Sequence, residues 1–128
     1  MSTDQNKAVI LRWIEGLNTG NASALEALVD ELYTVDFTGH INGKVGAIVG
    51  REGVKRNVHK ALSSTPDVCL TVEDIFAEGD RVVSRLTTMG ADSSTGKPVH
   101  NLVMNIWRLA GGQIVEGWQL VVSAGTQP

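Results

Sequence analysis

The sequence predicts an α+β domain in which three N-terminal helices pack on one face of a curved, mainly antiparallel sheet. Two patterns carry that prediction. Apolar residues recur at helical spacing in three stretches before Pro66, and from Asp67 onward they fall in strand-like runs broken by glycine turns. A third observation fixes one hairpin: Gly111-Gly112 is a two-residue loop of the kind that closes antiparallel strands.

Taken in order, Ser2 and Gln5 have the spacing of a capping box, in which each side chain satisfies an unpaired backbone N–H. Ile10, Trp13, Ile14 and Leu17 then form the apolar stripe of a first helix, which Asn18–Asn21 breaks. Leu25, Leu28, Val29 and Leu32 repeat the spacing in a second, shorter helix. Tyr33–Ile41 alternates and is rich in β-branched and aromatic residues, as a strand should be. Asn42–Gly50 reads as a glycine-containing loop at a pocket mouth. A third helix carries Val54, Val58, Ala61 and Leu62 on one face, and Ser63–Pro66 ends it, since Pro66 disfavours helical geometry in the residue before it. Val68–Ala77 and Arg81–Ala91 flank the turn Glu78-Gly79-Asp80. After the polar turn Asp92–Lys97, Pro98–Ala110 and Gln113–Ser123 flank the double glycine.

With 128 residues the chain suits one domain, here 1–128, with a core over 5–123 and a loose tail at 124–128. Apolar residues make up 42% and charged residues 20%, the balance of an ordinary globular protein. A net charge of −3 gives no electrostatic grip on nucleic acid. No run reaches the ~20 apolar residues of a membrane span, and no signal peptide is recognisable. The lone Cys69 allows no internal disulfide and suits a reducing, cytoplasmic setting.

A two-residue loop sets the register of the closing hairpin, provided the ladder is regular. Trp107 should then face Glu116, Asn105 should face Trp118, and Val103 should face Leu120. On that register Asn101, Val103, Asn105, Trp107, Glu116, Trp118, Leu120 and Val122 share the face toward the helices. Leu102, Met104, Ile106, Arg108, Val115, Gln119 and Val121 share the other. The second face is too apolar for water, so a second copy of the chain is expected to cover it.

Several motifs resemble the SnoaL-like branch of the nuclear transport factor 2-like superfamily. They are Gly50-Arg51-Glu52-Gly53-Val54, Pro66-Asp67, the hairpin Val72-Glu73-Asp74 with Glu78-Gly79-Asp80-Arg81-Val82, and Ile106-Trp107-Arg108 with Gly112 to Trp118. The resemblance implies a cone-shaped α+β fold with an apolar pocket. It also implies cofactor-free chemistry of the polyketide cyclase or isomerase type, on a scaffold that also hosts dehydratases and non-catalytic binders. Polyketide cyclases keep a catalytic aspartate four residues after the closing tryptophan, where this chain has Val122; Gln119 and Asn105 likewise stand where relatives often carry acids. Limonene epoxide hydrolase, on the same scaffold, pairs Arg-x-Asp with Tyr-x-Asn. This chain keeps only Arg85 of the first and Asn42 of the second, which argues against epoxide hydrolysis.

The polar residues left for chemistry are His40, Arg85, Asn105 and Asp36. Histidine is the side chain suited to proton transfer near neutral pH, so His40 would move protons. Arg85, with Glu116 as its partner, and Asn105 would polarise a carbonyl. Asp36 would be a carboxylate of the ketosteroid isomerase type, an enzyme whose mechanism is well worked out. Trp13, Tyr33, Phe37, Asn42, Trp107, Glu116, Trp118 and Val122 are the expected substrate-binding residues, for a small apolar molecule. His59 reads as solvent-facing and His100 as lying on the outer sheet face. Neither has neighbours at metal-ligand spacing, so no metal or other cofactor is expected.

Overall fold

The computed structural model describes residues 2–124. Most of the expected tail, 125–128, lies outside them. Ala124 is held, its backbone N–H donating to the His100 carbonyl at 2.8 Å. Helix α1 (Thr3–Thr19) opens on the expected capping box: Ser2 Oγ accepts from the Gln5 N–H, and the Gln5 side chain accepts from the Ser2 N–H. It stops at Gly20, whose φ of 65° is left-handed and costs glycine little. Helix α2 (Ala22–Leu32) is capped by Asn21, which accepts from the Ala24 N–H. Helix α3 spans Gly50–Ser64. The three predicted stripes are the buried faces: Ile10, Trp13 and Ile14 of α1, Leu25, Val29 and Leu32 of α2, Val54 and Val58 of α3. Each such side chain contributes roughly 1.5–3 kcal/mol by leaving water.

The strands are β1 (Tyr33–Ile41), β2 (Lys44–Val49), β3 (Cys69–Glu78), β4 (Arg81–Ala91), β5 (Pro98–Ala110) and β6 (Gln113–Ser123). They form one six-stranded sheet in the order β2-β1-β6-β5-β4-β3. All neighbours are antiparallel except β1 and β6, which run parallel. The three helices cover one face of this curved sheet, as expected for the α+β class.

The structure corrects two expectations. Asn42–Gly50 is not a loop: Asn42 and Gly43 have φ of 50° and 83°, the geometry of a primed turn, and they join β1 to β2 as a hairpin. Asn42 also clamps this hairpin to β6. Its N–H donates to the Gln119 carbonyl at 2.9 Å, and its Oδ1 accepts from the Val121 N–H at 2.8 Å.

The second correction concerns the closing hairpin. Ala110 pairs with Gln113 and Leu109 with Ile114, as expected, but Arg108 then pairs with Glu116. Val115 is the extra residue of a β-bulge, and every later residue of β6 therefore points to the opposite face from that expected. The physical gain is legible. A regular ladder would set the Glu116 carboxylate beside the buried Trp107 indole. The bulge sets Gly117 there and brings Glu116 to Arg108 on the outer face.

Candidate functional site

Between α1, α3 and the concave face of the sheet lies a cavity of about 320 Å³, within the range of small-molecule sites. Its walls are apolar: Trp13, Ile14 and Leu17 from α1, Val54, Val58 and Leu62 from α3, Leu70, Leu86, Val103, Trp107 and Val121 from the sheet. Tyr33 completes the aromatic side. It meets Trp13 edge-on at 5.0 Å and Phe37 edge-on at 4.8 Å between ring centroids. Burial pushes the Tyr33 phenol well above its ordinary pKa, so it stays neutral. Phe37 sits behind Tyr33 in the core rather than on the cavity wall.

The polar side chains on this wall are mainly amides and hydroxyls, including Asn57, Thr88, Asn101, Asn105 and Gln119. Among the described residues no carboxylate and no lysine or arginine lines it. Asn105 and Gln119 face each other across β5 and β6 because of the bulge. Asn105 is 3% exposed, and its side-chain nitrogen lies 3.3 Å from Ser84 Oγ, which also accepts from Trp107 Nε1 at 3.1 Å.

The charged groups gather on the other side of the sheet. Strand alternation turns Phe37 and Gly39 inward and His40 outward, although His40 still borders the cavity. Its Nδ1 accepts from the Gly46 N–H at 3.0 Å, which leaves the ring proton on Nε2, 2.8 Å from Glu116 Oε2. Both ring nitrogens are thus engaged. Arg108 donates to the other Glu116 oxygen at 3.2–3.3 Å. The bond from His40, aided by Arg108, lowers the Glu116 pKa, and partial desolvation opposes the shift. Trp118 lies beside His40, at 5.6 Å between rings, with the Arg81 guanidinium 5.0 Å above it. His40, Arg81 and Trp118 border a groove on the outer face.

Of the expected site residues, Trp13, Tyr33, Asn105 and Trp107 come together on the cavity wall, with His40 and Trp118 at the boundary between the two faces. The expectation that Glu116 and Val122 face the helices is corrected by the bulge: Glu116 joins the outer cluster, and Val122 is 60% exposed on the outer face. Arg85 is not paired with Glu116. It is half-exposed on that outer face, 2.7 Å from Asp74. Asp36 is exposed, as is His59, whose ring pairs with Glu26. His100 lies on the outer face as expected. Gln119 and Val121 were expected outside and lie inside. Asn57 was overlooked, although it falls three residues after Val54 on the same helical face.

Comparison with known proteins follows the same lines. Residues 10–117 match the family model for the SnoaL-like domain. The chain belongs to the SnoaL-like family. This SnoaL-like protein is also similar to solved structures along nearly its whole length. One is IdmH, a proposed polyketide cyclase from Streptomyces antibioticus (27% identity, 91% of each chain, TM-score 0.78). Another is a proposed SnoaL-like polyketide cyclase from Jannaschia sp. CCS1 (21% identity, 93% of this chain and 86% of that one, TM-score 0.85). A third is AclR, a proposed hydroxylase from Streptomyces galilaeus (23% identity, 94% and 91%, TM-score 0.81). The last two likenesses show the shared fold alone. No curated protein matches the SnoaL-like chain. Among the described residues no helix is long and apolar enough to cross a membrane.

Proposed function

We propose that this SnoaL-like protein binds a small, largely apolar, ring-bearing or polyketide-like molecule between its helices and its sheet. The observation that carries the proposal is the 320 Å³ cavity, walled by Trp13, Tyr33, Trp107 and aliphatic side chains, with the Asn101, Asn105 and Gln119 amides among them. Apolar walls supply affinity through burial, and a few amides fix the orientation of a polar edge. The likeness to IdmH supports a ligand of polyketide type. Outer-face residues Leu102, Met104, Leu120 and Val122, all at least 47% exposed, support a homodimer through that face. Reducing cytoplasm fits the exposed thiol of Cys69.

A thermal-shift and calorimetric screen of bicyclic aromatic compounds tests the proposal. A binder raises the melting temperature by an amount that grows with the logarithm of its excess over Kd. Val121→Trp, which fills the cavity, should abolish the shift. Retained binding in that variant would move the site elsewhere.

A second reading, cofactor-free aldol closure or isomerisation, draws on His40. The ring borders the cavity, and the Glu116 carboxylate would stabilise it as an imidazolium. Its Nδ1 accepts from the Gly46 N–H, so acting as a base there requires that bond to open. Turnover of an identified substrate that survives His40→Ala would remove this reading.

A further inference from the structure

The polarity of the cavity is set one layer behind its wall, at Ser84. This residue is fully buried in the middle of β4, between β3 and β5, where backbone carbonyls are taken up by the ladders on both sides. Its side-chain partners among the described residues are the Trp107 indole nitrogen at 3.1 Å and the Asn105 amide, placed with its nitrogen end 3.3 Å away. An indole N–H can only donate, so it occupies a lone pair of Ser84 Oγ. The hydroxyl must then place its own proton, and a buried donor without an acceptor costs on the order of 1–3 kcal/mol. Of these two partners among the described residues, only the Asn105 amide can accept. Its oxygen and nitrogen ends are nearly isosteric, so the hydrogen-bond network decides which end meets Ser84. With the nitrogen toward Ser84, the hydroxyl proton has no partner. With the oxygen there, the indole N–H, the serine hydroxyl and the amide oxygen are all satisfied.

We infer that Trp107, Ser84 and Asn105 form a directional relay, indole N–H to serine oxygen and serine O–H to amide oxygen. It turns the Asn105 NH2 group into the cavity, so the site selects ligands presenting an acceptor oxygen, a ketone or enolate, over ligands presenting a donor. Ser84 is a positioning residue: it stands behind the wall and acts through Asn105. The inference rests on the cavity being the binding site proposed above, and it adds the chemical class of the ligand's polar edge.

Three bicyclic probes of similar size separate the possibilities. Indane is apolar, 1-indanone only accepts, and indole only donates through nitrogen. Dissociation constants measured by calorimetry on the full chain should favour 1-indanone over indole by about tenfold, after each is normalised to indane. In Ser84→Ala the amide loses its orientation, and the ratio should fall to near one. The side-chain NH2 resonances of Asn105 in 15N-labelled wild-type protein should shift with 1-indanone and hardly at all with indane. A wild-type preference for indole, or a tenfold ratio that persists in Ser84→Ala, overturns the relay while leaving the cavity as a binding site. If indane and both polar probes all fail to bind, the binding proposal falls and the relay with it. If Ser84→Ala does not fold, the wild-type ratio and the NH2 shifts decide.

Discussion

The two faces of this sheet divide the chemistry between them. The inner face of β4, β5 and β6 carries Ser84, Leu86, Val103, Asn105, Trp107, Gly117, Gln119 and Val121, without a single ionisable group. The outer face of the same strands carries Arg81, Arg85, Arg108 and Glu116 among exposed apolar side chains, with His40 beside them on β1. Low-dielectric surroundings penalise an uncompensated charge heavily and a satisfied amide little, so the face that meets the helices keeps amides. The contrast teaches that amide hydrogen-bonding groups and ionisable groups are physically separated here by the thickness of a sheet, with His40 at the boundary.

The bulge at Val115 sets the division, and the most drastic way to break the comparison is to put a charge on the inner face. Gly117→Glu places a carboxylate there, where an added Cβ already lies 3.6–3.8 Å from the Phe37 and Trp107 rings. Cooperative thermal unfolding should be lost, as followed by near-ultraviolet circular dichroism. A native-like melt would mean that the inner face tolerates a charge.

Next in size, Leu86→Ala on the inner face should cost about 2–5 kcal/mol in urea denaturation. Leu120→Ala on the outer face should cost less than about 1 kcal/mol at dilutions where the chain is monomeric. Equal costs would contradict the assignment of the faces. Leu120→Lys sharpens the same contrast. Sedimentation equilibrium should show the wild type as a dimer at micromolar concentration and the variant as a monomer, and a monomeric wild type would leave the outer face uncovered.

The smallest effect concerns Glu116. Its folded pKa lies below the ordinary carboxylate value of about 4.3, so its stabilising contribution is present above that value and disappears as pH falls through the lowered one. The stability difference between wild type and Glu116→Gln should therefore shrink on acidification below about pH 4.3. A difference that stays constant from pH 7 to pH 3 would remove the ionic role.

Element identities were legible because they depend on local rules. The Ser2–Gln5 capping box, the apolar stripes and the double glycine at 111–112 each act within a few residues, and the strands β5 and β6 begin and end where the turn chemistry puts them. The Asn42-Gly43 turn is equally local, but the glycines that follow it have the composition of a loop. The bulge at Val115 was not local. It follows from Trp107 needing a small neighbour and Glu116 needing Arg108, two requirements that arise only once the strands are paired. That single offset is why Val122, the position of the family's aspartate, was expected in the pocket and Gln119 outside it. Arg85 misled in the same way, since nothing in β4 alone reveals Asp74 as its partner.

The central claim is that ligand is held by the inner face. Val103 and Met104 are neighbours in β5 that point to opposite sides, one 4% exposed on the cavity wall and the other 47% exposed outside. Methyl NMR of the full chain titrated with 1-indanone compares them directly. Saturable shifts at Val103 and Leu86, with Met104 and Leu120 unmoved, are the expected result. Shifts confined to Met104 and Leu120 would place the ligand on the outer face and contradict the account.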